Sequence, residues 1–118
     1  MKKKIICFDL DNVICTTFKN DYKNSKPLNK NILLVNSLYN NGYFIKIFTA
    51  RFMGRNNDNV TLAKKSGLNF TRMQLKKWKL KYHKLIFGKP SFDLYIDDKS
   101  IFFKKNWSFL LKKKLNVK

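Results

Sequence analysis

Two short apolar runs, each closed by a pair of aspartates, constrain this chain more than any other feature. Ile5-Ile6-Cys7-Phe8 leads into Asp9-Leu10-Asp11-Asn12, and Leu94-Tyr95-Ile96 leads into Asp97-Asp98. Short β-branched and aromatic runs of this kind read as buried strands. A carboxylate at the mouth of a buried strand costs desolvation energy unless a cation meets it. The chain has seven acidic residues, all Asp, and four of them stand in these two pairs. In so basic a chain the cation could be lysine. Two pairs converging from two strands point instead to a divalent metal, and with it to an enzyme.

The rest of the pattern alternates strand with helix. Strands are predicted over 5–9, 43–49, 82–87 and 94–97. A helix should begin near Asn29, with Ile32, Leu33, Val35, Leu38 and Tyr39 on its apolar side, and stop at Asn40-Asn41-Gly42, since Gly suits the left-handed position past a helix end. A second helix is predicted over 57–66, ended by Gly67, and a third over 71–78. Residues 12–27 and 50–56 read as loops. Part of the tail, which mixes Phe102, Phe103, Trp107, Phe109 and Leu111 with lysines, reads as an amphipathic helix with frayed final residues. Strands alternating with helices imply an α/β fold, a three-layer doubly wound parallel sheet, in a single domain over 1–118. Ligands of such sheets bind outside the carboxyl ends of the strands. Asp9, Asp11, Thr49, Arg51, Asp97 and Asp98 all fall at or just past such ends.

Composition adds limits. The formal charge is +19, carried by 23 Lys against only Arg51, Arg55 and Arg72. The lysines are scattered and no arginine-rich or stacked-aromatic motif accompanies them, so a nucleic-acid partner is compatible but not favoured. Abundant Lys and Asn with little Arg also fits an AT-rich coding bias. Cys7 and Cys15 form no disulfide framework and suit a reducing, cytoplasmic setting. No apolar run approaches the roughly 18–20 residues of a membrane span. The lysine-led start mimics a signal peptide, but Asp9 and Asp11 cut its apolar stretch short.

Four segments in order, Phe8-Asp9-Leu10-Asp11-Asn12, Ile47-Phe48-Thr49-Ala50-Arg51, Gly88-Lys89-Pro90 and Tyr95-Ile96-Asp97-Asp98-Lys99, resemble the motifs of the haloacid dehalogenase-like phosphatases. The resemblance spans roughly residues 5–99. The segment from Gln74 to Lys99 also looks like the small members, without a cap domain, associated with capsule or surface-polysaccharide biosynthesis. The resemblance implies a Rossmann-like core and a magnesium-dependent phosphomonoester hydrolase. Its substrate would be a small phosphorylated metabolite such as a sugar or polyol phosphate. Members without a cap accept large substrates or close the site with a neighbouring subunit, so a homo-oligomer is compatible.

The chemistry assigns roles. Asp9 would attack phosphorus and form an aspartyl-phosphate. Like charges repel at that step, so magnesium and nearby cations must offset them. Asp9 and Asp97 are the first-choice side-chain ligands, and the resemblance adds the backbone carbonyl of Asp11. Asp98 would complete the shell directly or through water, or else anchor Lys89. Asp11 would protonate the leaving alcohol and then deprotonate the attacking water. Thr49 would donate to the phosphoryl group and Lys89 would supply charge to it. Ala50 and Arg51 would contact substrate. Plainer roles compete: Asp97-Asp98 could cap a helix near Ser100, Lys84 competes with Lys89, and His83 suits a structural or lining place. Three other functions compete: a nucleotide or nucleic-acid end phosphatase, which shares this site; a phosphotransferase that passes the phosphoryl group to an alcohol; and a non-enzymatic basic nucleic-acid-binding module, which needs neither Asp9 nor metal.

Overall fold

The computed structural model describes residues 4–101 and 103–116. Its centre is a parallel three-stranded sheet of β1 (Ile5–Asp9), β4 (Phe44–Thr49) and β5 (Lys84–Phe87), in the order β1-β4-β5. Ile5 stands opposite Phe44 and Asp9 opposite Phe48; Lys46 stands opposite Lys84 and Thr49 opposite Phe87. Between β1 and β4 lie a two-residue antiparallel pair, β2 (Cys15–Thr16) and β3 (Lys26–Pro27), and helix α1 (Asn29–Asn40). Helix α2 (Val60–Lys77) links β4 to β5, and α3 (Trp107–Leu115) follows. The chain is thus a small α/β fold of the Rossmann-like kind.

Alternation along β4 sets the interior. Ile45, Ile47 and Thr49 are buried, while Phe44, Lys46 and Phe48 lie half-buried on the other face. Against the interior side, α1 presents Ile32, Val35 and Leu38. Phe8, Leu10, Ile14 and Leu75 complete the core. The N–H of Asn41 returns to the carbonyls of Ser37 and Leu38, and Gly42 takes φ +92°, so α1 ends where the sequence predicts.

Two expectations are corrected. The helices predicted over 57–66 and 71–78 are one continuous helix, α2, capped by the Asn59 side chain, which accepts from Leu62 N–H at 3.1 Å. Gly67 does not end it. A Cβ at Gly67 would overlap the Phe52 ring, so the glycine is there to let that ring lie against the helix. Gly67→Ala is expected to lower the thermal midpoint by an amount equivalent to about 1–3 kcal/mol of overpacking, against the ~1 kcal/mol that helix propensity alone would add. A melt showing a gain would contradict this packing.

The second correction concerns residues 94–97, which form no strand. Phe92 and Tyr95 stack with ring centroids 4.9 Å apart. Residues three apart face opposite sides of a strand, so this stack requires a bent chain. Asp97 also accepts the N–H of Lys99 at 2.7 Å, a local turn that competes with a sheet ladder. Leu94 and Ile96 are left exposed. The expected tail helix is present as α3, which meets the sheet where Trp107 packs edge-on against Phe8; Phe102 and residues 117–118 lie outside the described residues. Among the described residues no helix is long and apolar enough to cross a membrane.

Because the strands are parallel, Asp9, Thr49 and Phe87 close them at one edge. The loops after β1, β4 and β5 meet there.

Candidate active site

Asp9 is the last residue of β1. Its Oδ1 accepts the N–H of Leu10 at 2.8 Å, and its Oδ2 lies 3.4 Å from Lys89 Nζ. Burial pushes the Asp9 carboxyl above its ordinary range; Lys89 and the Leu10 N–H pull it back, and Asp11 adds a smaller upward push. Lys89 thus offsets the effect of burial only in part.

Lys89 reaches Asp9 through the turn that ends β5. Gly88 adopts φ +110°, a conformation that L side chains rarely take, and a Cβ there would sit 3.2 Å from Val60 Cγ2. The N–H of Lys89 then bonds the Thr49 carbonyl at 3.2 Å. Its ammonium lies 5.6 and 5.1 Å from the Phe92 and Tyr95 ring centroids, an aromatic cradle that aims it. Lys84 opens β5 at the opposite end of the strand, so of the two it is Lys89 that stands beside Asp9.

Asp11 is held differently. The turn after β1 places Asn12 at φ +67° and returns the N–H of Ile14 to the Leu10 carbonyl at 2.9 Å. Arg51 Nε reaches both oxygens of Asp11 at 3.1 and 3.0 Å, and Nη2 reaches Oδ1 at 2.9 Å. Thr17 adds a hydroxyl donor at 2.5 Å. Nη1 of Arg51 donates to Gln74 Oε1 at 2.6 Å and to Thr71 Oγ1 at 3.4 Å. The guanidinium also lies over the Tyr22 ring, 4.9 Å from its centroid. Gln74 passes the network on, donating to the Tyr22 carbonyl at 2.8 Å. No buried side-chain nitrogen or oxygen among the described residues lacks a partner.

This network bears on the substrate-contact roles expected of Thr49, Ala50 and Arg51. Arg51 is only 1% exposed and Thr49 is fully buried, its hydroxyl accepting the N–H of Arg51 at 3.1 Å. Neither has surface to offer a ligand. Ala50, next to them, does not line the cavity described below. Thr49 and Arg51 hold the loop after β4 and orient Asp11. Thr17, Thr71, Gln74 and Ser25, whose Oγ accepts from Arg51 Nη2 at 3.4 Å, acquire roles that the sequence does not assign them. The available signal was a pair of polar residues, Thr71 and Gln74, in the buried stripe that α2 shares with Ala63, Gly67 and Leu75.

A cavity of about 1020 Å³ opens beside β1, and Asp9, Asp11, Lys89, Asp97 and Asp98 all line it. All four aspartates predicted as metal-site residues therefore share one space. Among the described residues no three His, Cys, Asp or Glu side chains gather into a ready metal-holding group. Magnesium needs no such group, since it is bound through one or two carboxylates and keeps several waters. The Asp9 carboxyl, partly buried beside Lys89, suits such an ion, and Asp97 and Asp98 supply further oxygens to the same cavity. The side chain of Asp11 is committed to Arg51.

The remaining polar candidates are structural. His83 Nδ1 accepts the Ile45 N–H at 3.0 Å, and its ring stacks on Tyr39 and Phe44. Cys15 is buried, and burial together with Asp11 pushes its thiol up, the opposite of an activated nucleophile.

No protein-family profile and no curated protein matches the chain. The crystal structure of an MCSG target from Vibrio cholerae is similar over 94% of this chain and 98% of that one, with a TM-score of 0.77 and 26% sequence identity. A fold of this size and layout is thus one that a solved protein adopts.

Proposed function

We infer that this protein is a magnesium-dependent phosphomonoester hydrolase on a haloacid dehalogenase-like core without a cap domain. One observation carries the reading: Asp9 is a partly buried strand-end carboxylate, paired with Lys89, in a cavity it shares with Asp97 and Asp98. The ordered motifs of the sequence and the parallel sheet that gathers three of them at one edge support it.

Asp9 would attack the phosphorus of a bound monoester, forming an acyl phosphate as the ester P–O bond breaks. Lys89 draws the dianion toward Asp9 and offsets charge on the transferring group. In the resting site Arg51 holds Asp11 through both carboxylate oxygens. Once protonated, with one oxygen released from Arg51, Asp11 would give its proton to the departing alkoxide. It would then take one from the water that attacks phosphorus, which releases inorganic phosphate and restores Asp9. Magnesium, held by Asp9 and Asp97 with Asp98 beside them, would supply the further positive charge this chemistry needs. A phosphorylated sugar, polyol or related intermediate of capsule or surface-polysaccharide synthesis is the substrate class that the sequence resemblance favours.

Hydrolysis of a generic aryl phosphate tests the reading. Turnover should require magnesium, stop on chelation and return when magnesium is restored. Lys89→Ala should lower kcat/KM by about 10²-fold or more, as expected for a charge that stabilises the transition state, while Lys84→Ala changes it far less. The reverse order, or metal-independent turnover, would contradict the assignment.

A further inference from the structure

Lys89 and Asp97 belong to one irregular stretch after β5, and a single side chain meets both. Tyr95 stacks on Phe92, and the Lys89 ammonium lies 5.1 Å from the Tyr95 centroid and 5.6 Å from that of Phe92. At the other end of the ring, burial and then the charge and hydrogen bond of Asp97 push the Tyr95 phenol above its ordinary value. The Asp97 carboxylate also accepts the N–H of Lys99 at 2.7 Å, so it is held by its own turn and by Tyr95. Burial pushes the Cys7 thiol up, and Lys89, Lys46, Asp9 and Asp97 each act on it by charge. Lys89, Asp9 and Asp97 therefore gather about one position of β1.

We propose that Tyr95 is a positioning residue with two separable functions: its ring, backed by Phe92, holds the Lys89 ammonium beside Asp9, and its hydroxyl orients the Asp97 carboxylate for the metal. What Lys89 and Asp97 then do rests on the phosphatase reading; the clamp itself does not. A lysine carries a point charge on a flexible four-carbon stem. The cavity offers it Asp9, Asp11, Asp97 and Asp98, yet it pairs with Asp9, at 3.4 Å. A ring face attracts an ammonium through its quadrupole, which narrows the places where this charge can rest. A hydrogen bond from outside the metal shell fixes the orientation of a ligand in the same way. The bend that leaves Leu94 and Ile96 exposed is then what carries the Tyr95 ring and hydroxyl to their partners.

The test uses two variants of one residue: Tyr95→Phe keeps the ring and loses the hydroxyl, and Tyr95→Leu loses both. In the NMR spectrum of the protein alone, the rings should shift the Lys89 ε-methylene upfield, a signal assigned by its absence from Lys89→Arg. The shift should persist in Tyr95→Phe and shrink in Tyr95→Leu. Manganese, which suits the same oxygen ligands as magnesium, should bind Tyr95→Phe about tenfold or more weaker than the wild type, read by electron paramagnetic resonance. At saturating magnesium, Tyr95→Leu should lose about tenfold in kcat/KM, the scale of one cation–π contact, and Tyr95→Phe should recover most of it. The Tyr95→Leu loss should vanish in the Lys89→Ala background, where a residue that merely supports the fold would cost the same. A wild-type methylene that is not shifted, or a shift that Tyr95→Leu leaves in place, overturns the role of the ring. Unchanged manganese binding in Tyr95→Phe overturns the role of the hydroxyl. Wild-type hydrolysis alongside both of those results sinks the clamp alone. A Tyr95-dependent shift without hydrolysis sinks the phosphatase reading and leaves the clamp.

Discussion

Asp9→Asn is expected to reduce turnover of an aryl phosphate by at least about 10³-fold, the scale of losing a nucleophile that acts as part of a unit, and to leave the fold at least as stable as the wild type. The two effects share one cause. Burial disfavours the charged form of Asp9 in the folded chain, and Lys89 compensates only in part. The sign follows from linkage. A carboxyl whose folded pKa lies above its unfolded value favours the fold when protonated, and that contribution is lost as pH rises from the unfolded value through the folded one. Asparagine is neutral throughout. The melting temperature of Asp9→Asn should therefore gain on that of the wild type as pH rises through that window, and match or exceed it at neutral pH. The gain will be modest, because the Asp9 side chain is 37% exposed and still meets water. Paired melts at acidic and neutral pH, run beside turnover assays, check both halves. Near-normal turnover would remove Asp9 from its role, and a variant that melts lower at neutral pH than the wild type would contradict the electrostatic argument.

Arg51→Met is expected to cost about 3–5 kcal/mol, the range for breaking a buried pair by removing one partner. The guanidinium is fully buried and binds Asp11, Thr71 and Gln74 while stacking on Tyr22. Removing it strands the Asp11 carboxylate and the Gln74 carbonyl together. Small domains hold only about 5–15 kcal/mol in total, so the variant should show a steep fall in urea midpoint. Arg51→Lys should not restore it, since an ammonium cannot reproduce the planar fork that spans both oxygens of Asp11. In a double-mutant cycle, Asp11→Ala should cost much less in the Arg51→Met background than in the wild type. Additive losses, or a fully stable Arg51→Lys, would show that the network does not act as one unit.

How much of this was readable from residues alone follows from which interactions are local. Asp9 and the span of β1 were legible because a β-branched run ending in a carboxylate has few other places to go. α1 was legible for the same reason, with its apolar spacing and the Asn40-Asn41-Gly42 stop. Lys89 stood out from the other lysines only through its Gly-Lys-Pro setting, and the geometry gives that setting a cause in the φ of Gly88. The errors arose where a distant partner decides the outcome. Gly67 carries the local signature of a helix end, and only the Phe52 ring, fifteen positions earlier, explains why it lies inside α2. Residues 94–97 have strand composition, but the Phe92–Tyr95 stack and the Asp97 turn bend the chain there. Arg51 in a loop reads as a solvated or ligand-gripping charge. Its burial depends on Thr71 and Gln74, twenty or more positions away on α2.

Covalent chemistry at Asp9 is the claim on which the rest depends, and hydride trapping tests it most directly. Enzyme mixed with phosphomonoester and magnesium, then quenched with borohydride, should carry homoserine at position 9, because hydride reduces an acyl phosphate to the alcohol and leaves a free carboxylate untouched. Mass spectrometry of the peptide containing β1 should show this product only when ester and magnesium are both present. Rapid phosphate release with position 9 unreduced, or with the reduced residue elsewhere, would contradict the account.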